Sequence, residues 1–157
     1  MQDLDKVCWG IIGCGDVTEM KSGPAFNKVP HSRLVAVMRR NASKAADYAA
    51  RHEVDQWYAD ATELINDSSV NAIYIATPPA SHLLYARMAM EAGKPVYVEK
   101  PMAMDANEAI QMADLATDKN VKLTVAHYRR GHERILFIKK LLDNKAIGKI
   151  QSVKLAY

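Results

Sequence analysis

Gly13-Cys14-Gly15-Asp16-Val17-Thr18 stands where an apolar run, Val7–Ile12, turns polar. Two glycines so placed suit a pyrophosphate. The first permits the tight turn, and the second lets the main chain approach phosphate with no Cβ in the way. The N–H groups of Asp16, Val17 and Thr18 are then expected to open a helix and face the phosphates. The Asp16 carboxylate has the wrong charge for that company, so its side chain is expected to point away. Thr18 occupies the third glycine place of a G-x-G-x-x-G pattern. It costs packing room and offers phosphate a hydroxyl. An ordinary glycine turn between strand and helix would read the same, so the surrounding pattern has to decide between them.

A site that reads the adenosine ribose of NAD places Asp or Glu at the end of the second strand, about 20 residues on. Here Met38-Arg39-Arg40-Asn41 holds no acid. Guanidinium forks match phosphate geometry, so Arg39 and Arg40 point to a 2′-phosphate and to NADP(H) over NAD(H). The alternative is a pair of solvated surface arginines. Three further stretches each end a strand-like run: Thr77-Pro78-Pro79-Ala80-Ser81-His82, Glu99-Lys100-Pro101 and His127-Tyr128-Arg129-Arg130. Open α/β sheets bind ligands beyond the carboxyl ends of their strands. The prolines fix an extended turn there, Lys100 either falls near the same crevice or is a solvated lysine before a loop, and His82 is either a cofactor contact or a surface or capping histidine.

The elements that must position these residues alternate. Val7–Ile12, Arg33–Met38, Ala72–Ala76, Val96–Glu99 and Lys122–Ala126 read as strands. They are continuous apolar runs rather than alternations, as in a parallel sheet covered on both faces. Asp16–Asn27 starts helical until Gly23-Pro24 disturbs it. Ser43 is a plausible N-cap for a helix to Arg51. Asp60-Ala61-Thr62-Glu63 and Asp105-Ala106-Asn107-Glu108 are capping-box patterns, opening helices to about Asn66 and Lys119. Ser81–Ala92 stops at Gly93, and Gly131–Asn144 puts Ile135, Ile138, Leu141 and Leu142 on one stripe. The pattern is that of a doubly wound α/β domain. Lys149–Tyr157 alternates like a new strand without a partner, so the chain reads as cut or as pairing elsewhere.

"GIIGCGD", "IATPPASH", "VEKPMAM" and "VAHYRR", in this order, resemble the amino-terminal half of the Gfo/Idh/MocA oxidoreductases. "LLDNKAIGKIQSV" resembles the passage into that family's second domain. The resemblance implies a Rossmann domain over 1–126 and, over 127–157, the start of a truncated substrate and oligomerisation domain of α+β type. It implies that Gly13 and Gly15 bind pyrophosphate and that Arg39 lies at or next to the place of the acidic ribose ligand. Thr77, Pro78 and His82 would line the cofactor. Glu99 would lie near the nicotinamide ribose and Lys100 at the substrate hydroxyl, with Lys100–Pro101 often cis. Tyr128 and Arg129 would sit beside the nicotinamide pocket.

The reaction so implied is hydride transfer between nicotinamide and a hydroxyl-bearing carbon of a sugar or cyclitol. Lys100 would donate to the developing alkoxide and assist a histidine of the second domain. Burial and the positive nicotinamide would lower its pKa from about 10.4. A non-catalytic nucleotide-binding module, or an inactive isolated domain, is the alternative.

Composition bounds the rest. The chain has 157 residues, 49% of them hydrophobic and 25% charged, with a net charge of +3. That is ordinary for a globular domain and too weakly basic to argue for nucleic acid or membrane. The basic residues Arg129, Arg130, Arg134, Lys139, Lys140, Lys145 and Lys149 are interrupted by Glu133 and Asp143, with no aromatic platform for bases. Cys8 and Cys14 fit neither a redox nor a zinc spacing and read as reduced thiols of a cytoplasmic protein. No metal, signal peptide or membrane span is expected, and a homo-oligomer is expected for the full-length protein.

Overall fold

The structure, a computed structural model, describes residues 5–154. Six strands form one sheet: β1 (Val7–Ile12), β2 (Ser32–Met38), β3 (Gln56–Tyr58), β4 (Ala72–Ile75), β5 (Val96–Val98) and β6 (Leu123–Val125). Their order is β3-β2-β1-β4-β5-β6, and every neighbouring pair is parallel. The order reverses between β1 and β4, which opens the crevice of a doubly wound sheet at the carboxyl ends of those two strands.

The apolar runs are buried on both faces. Ile12, Ile73, Ile75 and Val98 pack with Ala61, Leu64, Ala86, Met90 and Met112 on one side. On the other, Ile11, Val37 and Tyr74 pack with Tyr48 and Ala49. The helices that supply those residues are α2 (Ala42–Arg51), α3 (Ala61–Asn66), α4 (His82–Glu91) and α5 (Ala106–Asp118). β3 has no counterpart among the strands read from sequence. It is a three-residue edge strand whose Gln56 and Trp57 are exposed, so no apolar run marks it.

Local chemistry sets most of the helix ends, with three departures from expectation. α2 is capped by Asn41, whose Oδ1 accepts from Lys44 N at 3.1 Å, and Ser43 lies inside the helix donating to that same oxygen at 2.7 Å. Gly23-Pro24 does not end the first helical segment. A π-turn, Thr18–Ser22, runs into α1 (Gly23–Phe26), and Pro24 sits in its first turn, where no N–H is needed. α4 is preceded by a 3₁₀ turn, Pro79–Ser81. Gly93, at φ +73°, ends α4 as expected: Gly93 N donates to Met90 O at 3.0 Å and Lys94 N to Ala89 O at 2.9 Å, a Schellman closure.

The chain divides after Ala126 into two compact units. The second contains a 3₁₀ turn, Tyr128–Gly131, and α6 (Glu133–Asp143), on which Ile135, Ile138 and Leu142 are exposed. Residues 149–154 form no strand; 155–157 of the expected strand lie outside the described residues.

Candidate active site

The turn after β1 is built around two glycines that differ in what they need. Gly13 has φ +95°, and a Cβ there would lie 2.6 Å from Thr77 Cγ2 and 3.0 Å from Thr77 N. Its N–H donates to Met38 O at 2.9 Å, as does Cys14 N at 3.1 Å. Gly13 is therefore demanded by the chain itself, because β1, β2 and β4 converge on it. Gly15 is not. A Cβ there would find nothing nearer than Gly13 O at 4.0 Å. A bare backbone facing open space is the cradle a pyrophosphate needs.

Thr18 takes a different role from the expected one. It is fully buried, its Oγ1 donates to Gly15 O at 2.7 Å and its N–H to the same oxygen at 2.9 Å. Neither group is left for phosphate. Asp16 and Val17 are exposed at the open end of the turn. Thr18 O in turn accepts from Tyr48 Oη of α2 at 2.9 Å and from Gly23 N. A Cβ on Gly23 would meet Tyr48 Oη at 2.2 Å and Thr18 O at 2.4 Å.

A second tie links the same two segments at the surface. Arg51 grips Glu19 through both carboxylate oxygens at 2.7 and 2.8 Å, and His52 Nε2 lies 2.7 Å from Glu19 Oε2. The Arg51 bonds hold the Glu19 carboxyl well below its usual range, at about 2.

At the end of β2 the two arginines part company. Arg39 is half-buried and its Nη1 donates to Cys14 O at 3.3 Å, which sets the guanidinium against the glycine turn. Arg40 is exposed. Burial pushes the Cys14 thiol up to about 11, with the Arg39 charge opposing that rise.

Beyond β4, the half-buried Thr77 turns the chain over Gly13, and Pro78 beside it is exposed. His82 corrects the expectation of a cofactor contact. It is fully buried, with Nε2 2.8 Å from Thr77 O and Nδ1 3.0 Å from Pro101 O. Carbonyl oxygens face both nitrogens inside the fold, so the ring bridges two loops instead of meeting a ligand.

The Lys100–Pro101 bond is cis. At the end of β5, Glu99 is half-buried: Oε1 accepts from Tyr74 Oη at 2.6 Å and Oε2 from Lys100 N at 3.1 Å. Lys100 itself is exposed, so the burial expected for it is not supplied by this chain. Tyr128 and Arg129 lie in the second unit, in the exposed 3₁₀ turn rather than at a strand end, with the Tyr128 ring 5.7 Å from that of His132.

Residues 7–127 match the model of an oxidoreductase family with an NAD-binding Rossmann fold. The chain belongs to the Gfo/Idh/MocA oxidoreductase family. An oxidoreductase of Formosa agariphila is 52% identical over 150 residues, which are 96% of this chain and 47% of that protein. The dTDP-3,4-didehydro-2,6-dideoxy-alpha-D-glucose 3-reductase of Streptomyces violaceoruber is 29% identical over 94% of this chain and 43% of its own length. A solved 3-ketoreductase from Actinomadura kijaniata, in complex with TDP-benzene and NADP, matches with a TM-score of 0.84 at 25% identity. That match covers 93% of this chain and 46% of the other. The chain thus spans about half the length of the relatives it matches.

In this Gfo/Idh/MocA chain, the glycine turn, Arg39, Thr77 and Glu99-Lys100 follow the carboxyl ends of β1, β2, β4 and β5 in turn. A cavity of about 770 Å³ lies elsewhere, among Val7, Asn71, Ala72 and Val96 at the strands' opposite ends. Its one half-buried cation, Lys94, already donates to Asp67 O at 2.7 Å, so size does not mark the chemistry here. Among the described residues no His, Cys, Asp and Glu side chains group as a metal site, and no helix is long and apolar enough to cross a membrane.

Sequence reading missed Tyr48, Tyr74 and the Glu19–Arg51 pair. Tyr74 alone carried a signal: a phenol in the continuous apolar run AIYIA must find a partner for its hydroxyl.

Proposed function

We propose that the chain is the cofactor-binding portion of an NADP(H)-preferring dehydrogenase or reductase acting on a hydroxyl-bearing carbon of a sugar or cyclitol. The observation that carries the reading is Gly15, whose missing Cβ answers to no protein neighbour. A glycine with open space over it leaves the main chain bare for a phosphate to approach. Arg39, seated on the carbonyl of Cys14, supports the phosphorylated cofactor, since its guanidinium has further N–H groups to offer. Arg40 supplements that charge from the exposed side of the strand end. The relatives support the substrate class, one being a reductase of a nucleotide-linked keto sugar and another a 3-ketoreductase in complex with NADP.

When bound, nicotinamide supplies the hydride chemistry. The chain's own residues bind and orient. The backbone at Gly15, Asp16 and Val17 receives the pyrophosphate over the turn that Gly13 sets, Thr77 and Pro78 line the crevice, and Glu99 accepts from ribose hydroxyls. Lys100 holds a proton donor at the substrate oxygen and stabilises alkoxide character there. Residues 127–157 would begin a substrate and oligomerisation domain, through which the protein would associate.

Calorimetric titration with NADPH and NADH tests the cofactor, and equal dissociation constants would refute the preference. In a protein carrying both domains, assayed on a panel of sugars and cyclitols, Lys100→Ala is expected to lower kcat by orders of magnitude with little change in cofactor binding. An unchanged kcat removes Lys100 from the chemistry.

A further inference from the structure

We infer that Tyr74 is a positioning residue for the cofactor, setting the Glu99 carboxylate from beneath the crevice and linking it to the helical segment that opens after the glycine turn. The inference rests on the dinucleotide reading above.

Tyr74 sits in the middle of β4 and is fully buried. Its ring is fixed between Phe26 and Tyr97, with centroids 5.3 and 5.4 Å away. A phenol so enclosed cannot turn to water, and its hydroxyl has two neighbours. Oη donates to Glu99 Oε1 at 2.6 Å and lies 3.0 Å from Ser22 Oγ. Ser22 ends the π-turn, and its Oγ reaches back to Val17 O at 3.4 Å. A line of polar atoms therefore runs beneath the crevice from Val17, through Ser22 and Tyr74, to Glu99.

The effect falls on Glu99. A carboxylate at a strand tip can rotate freely unless something holds it. Here one oxygen is held by Tyr74 and the other by the N–H of Lys100 at 3.1 Å. Each oxygen keeps a lone pair free for an outside donor. Burial and the Glu99 charge both hold the Tyr74 phenol above the usual tyrosine range, so it stays a donor throughout the neutral range. Glu99 is thereby preset as an acceptor for the hydroxyls of a ribose. The ordering entropy is spent in folding instead of in binding.

This divides the cofactor into two halves with different dependence on Tyr74. The adenosine half, with its phosphates, rests on the glycine turn and Arg39. The nicotinamide riboside half depends on Glu99, and through it on Tyr74.

The test is calorimetric titration of the 157-residue chain and its Tyr74→Phe variant with NADPH and with 2′,5′-ADP, which carries only the adenosine half. Loss of a hydrogen bond to a charged group is expected to raise the NADPH dissociation constant about tenfold. The 2′,5′-ADP constant should stay within about twofold, since no group that binds it changes. Glu99→Gln should reproduce the split, and the double variant should be no worse than the poorer single one. Three results would overturn the inference. If Tyr74→Phe binds NADPH like the parent, the hydroxyl does not position anything. If it weakens both ligands equally, Tyr74 is only a core residue. If the parent binds neither ligand, the dinucleotide reading falls and takes the role of Tyr74 with it.

Discussion

Tyr48 Oη donates to the main-chain oxygen of Thr18 at 2.9 Å, and Gly23 passes so close to both that a Cβ would lie 2.2 Å from the hydroxyl. This contact fixes the glycine turn's helical segment to α2 inside the fold, as the Arg51–Glu19 pair does at the surface. Gly23→Ala should cost about 2 kcal/mol from overpacking against a backbone oxygen that cannot step aside. Tyr48→Phe should cost only about 1 kcal/mol, the worth of one hydrogen bond. Urea unfolding measures both, and equal costs would show that crowding at Gly23 is relieved elsewhere.

The two turn glycines should separate folding from binding. Gly13→Ala forces a side chain into a positive φ and into Thr77, so a loss of roughly 3 kcal/mol in stability is expected. Gly15→Ala meets nothing closer than 4.0 Å and should melt with the parent. Its NADPH dissociation constant should nonetheless rise about tenfold or more, because the Cβ stands where the pyrophosphate comes down. Thermal melts beside cofactor titration decide the matter; a destabilised Gly15→Ala would give that glycine a structural duty after all.

Arg39 and Arg40 are adjacent in sequence and unequal in place. Arg39 lies against Cys14 O, while Arg40 is exposed. Arg39→Ala should abolish most of the NADPH over NADH preference, and Arg40→Ala should reduce it only a fewfold at low salt, where an exposed charge is least screened. The ratio of the two dissociation constants at low and at physiological salt reads this out. Equal effects would place the 2′-phosphate between the two side chains.

The Glu19–Arg51–His52 tie gives the fold an acid-sensitive point. The Glu19 pKa is depressed in the folded chain, to about 2 from about 4.5. Its contribution is therefore fully present above about 4.5 and is lost as pH falls toward about 2. Glu19→Gln should flatten the fall in stability across that window and leave neutral-pH cofactor affinity little changed. Urea midpoints taken from pH 6 down to pH 2.5 will show whether the slope belongs to Glu19; an unchanged slope in the variant would assign it to other carboxylates.

His82 offers the remaining contrast. A neutral imidazole donates from one nitrogen, yet carbonyl oxygens face both. His82→Leu deprives whichever of Thr77 O and Pro101 O the ring donates to of that hydrogen bond, at a cost of about 1 to 3 kcal/mol. Hydrogen exchange should show the loss concentrated around residues 77–82 and 99–103 rather than spread over the sheet. Uniform loss of protection would mean that His82 supports the core as a whole.

The sequence by itself determined the alternation of strands and helices, because apolar runs, capping residues and turn glycines act within a few residues of each other. It marked Gly13, Gly15, Arg39, Thr77 and Glu99-Lys100 as strand-end residues for the same reason. It also set the end of α4, since Gly93 closes that helix through its own backbone. The tertiary structure decided everything that depends on distant partners. His82 and Thr18 look available in the sequence and are consumed by carbonyls that packing brings to them. Tyr48 looks like a plain core residue and Tyr74 like a phenol in need of some partner, and both become donors to particular atoms because Thr18 O and Glu99 arrive beside them. Chain-local chemistry is written in spacing, whereas a buried hydrogen bond between residues 25 or 30 positions apart exists only once the sheet has assembled.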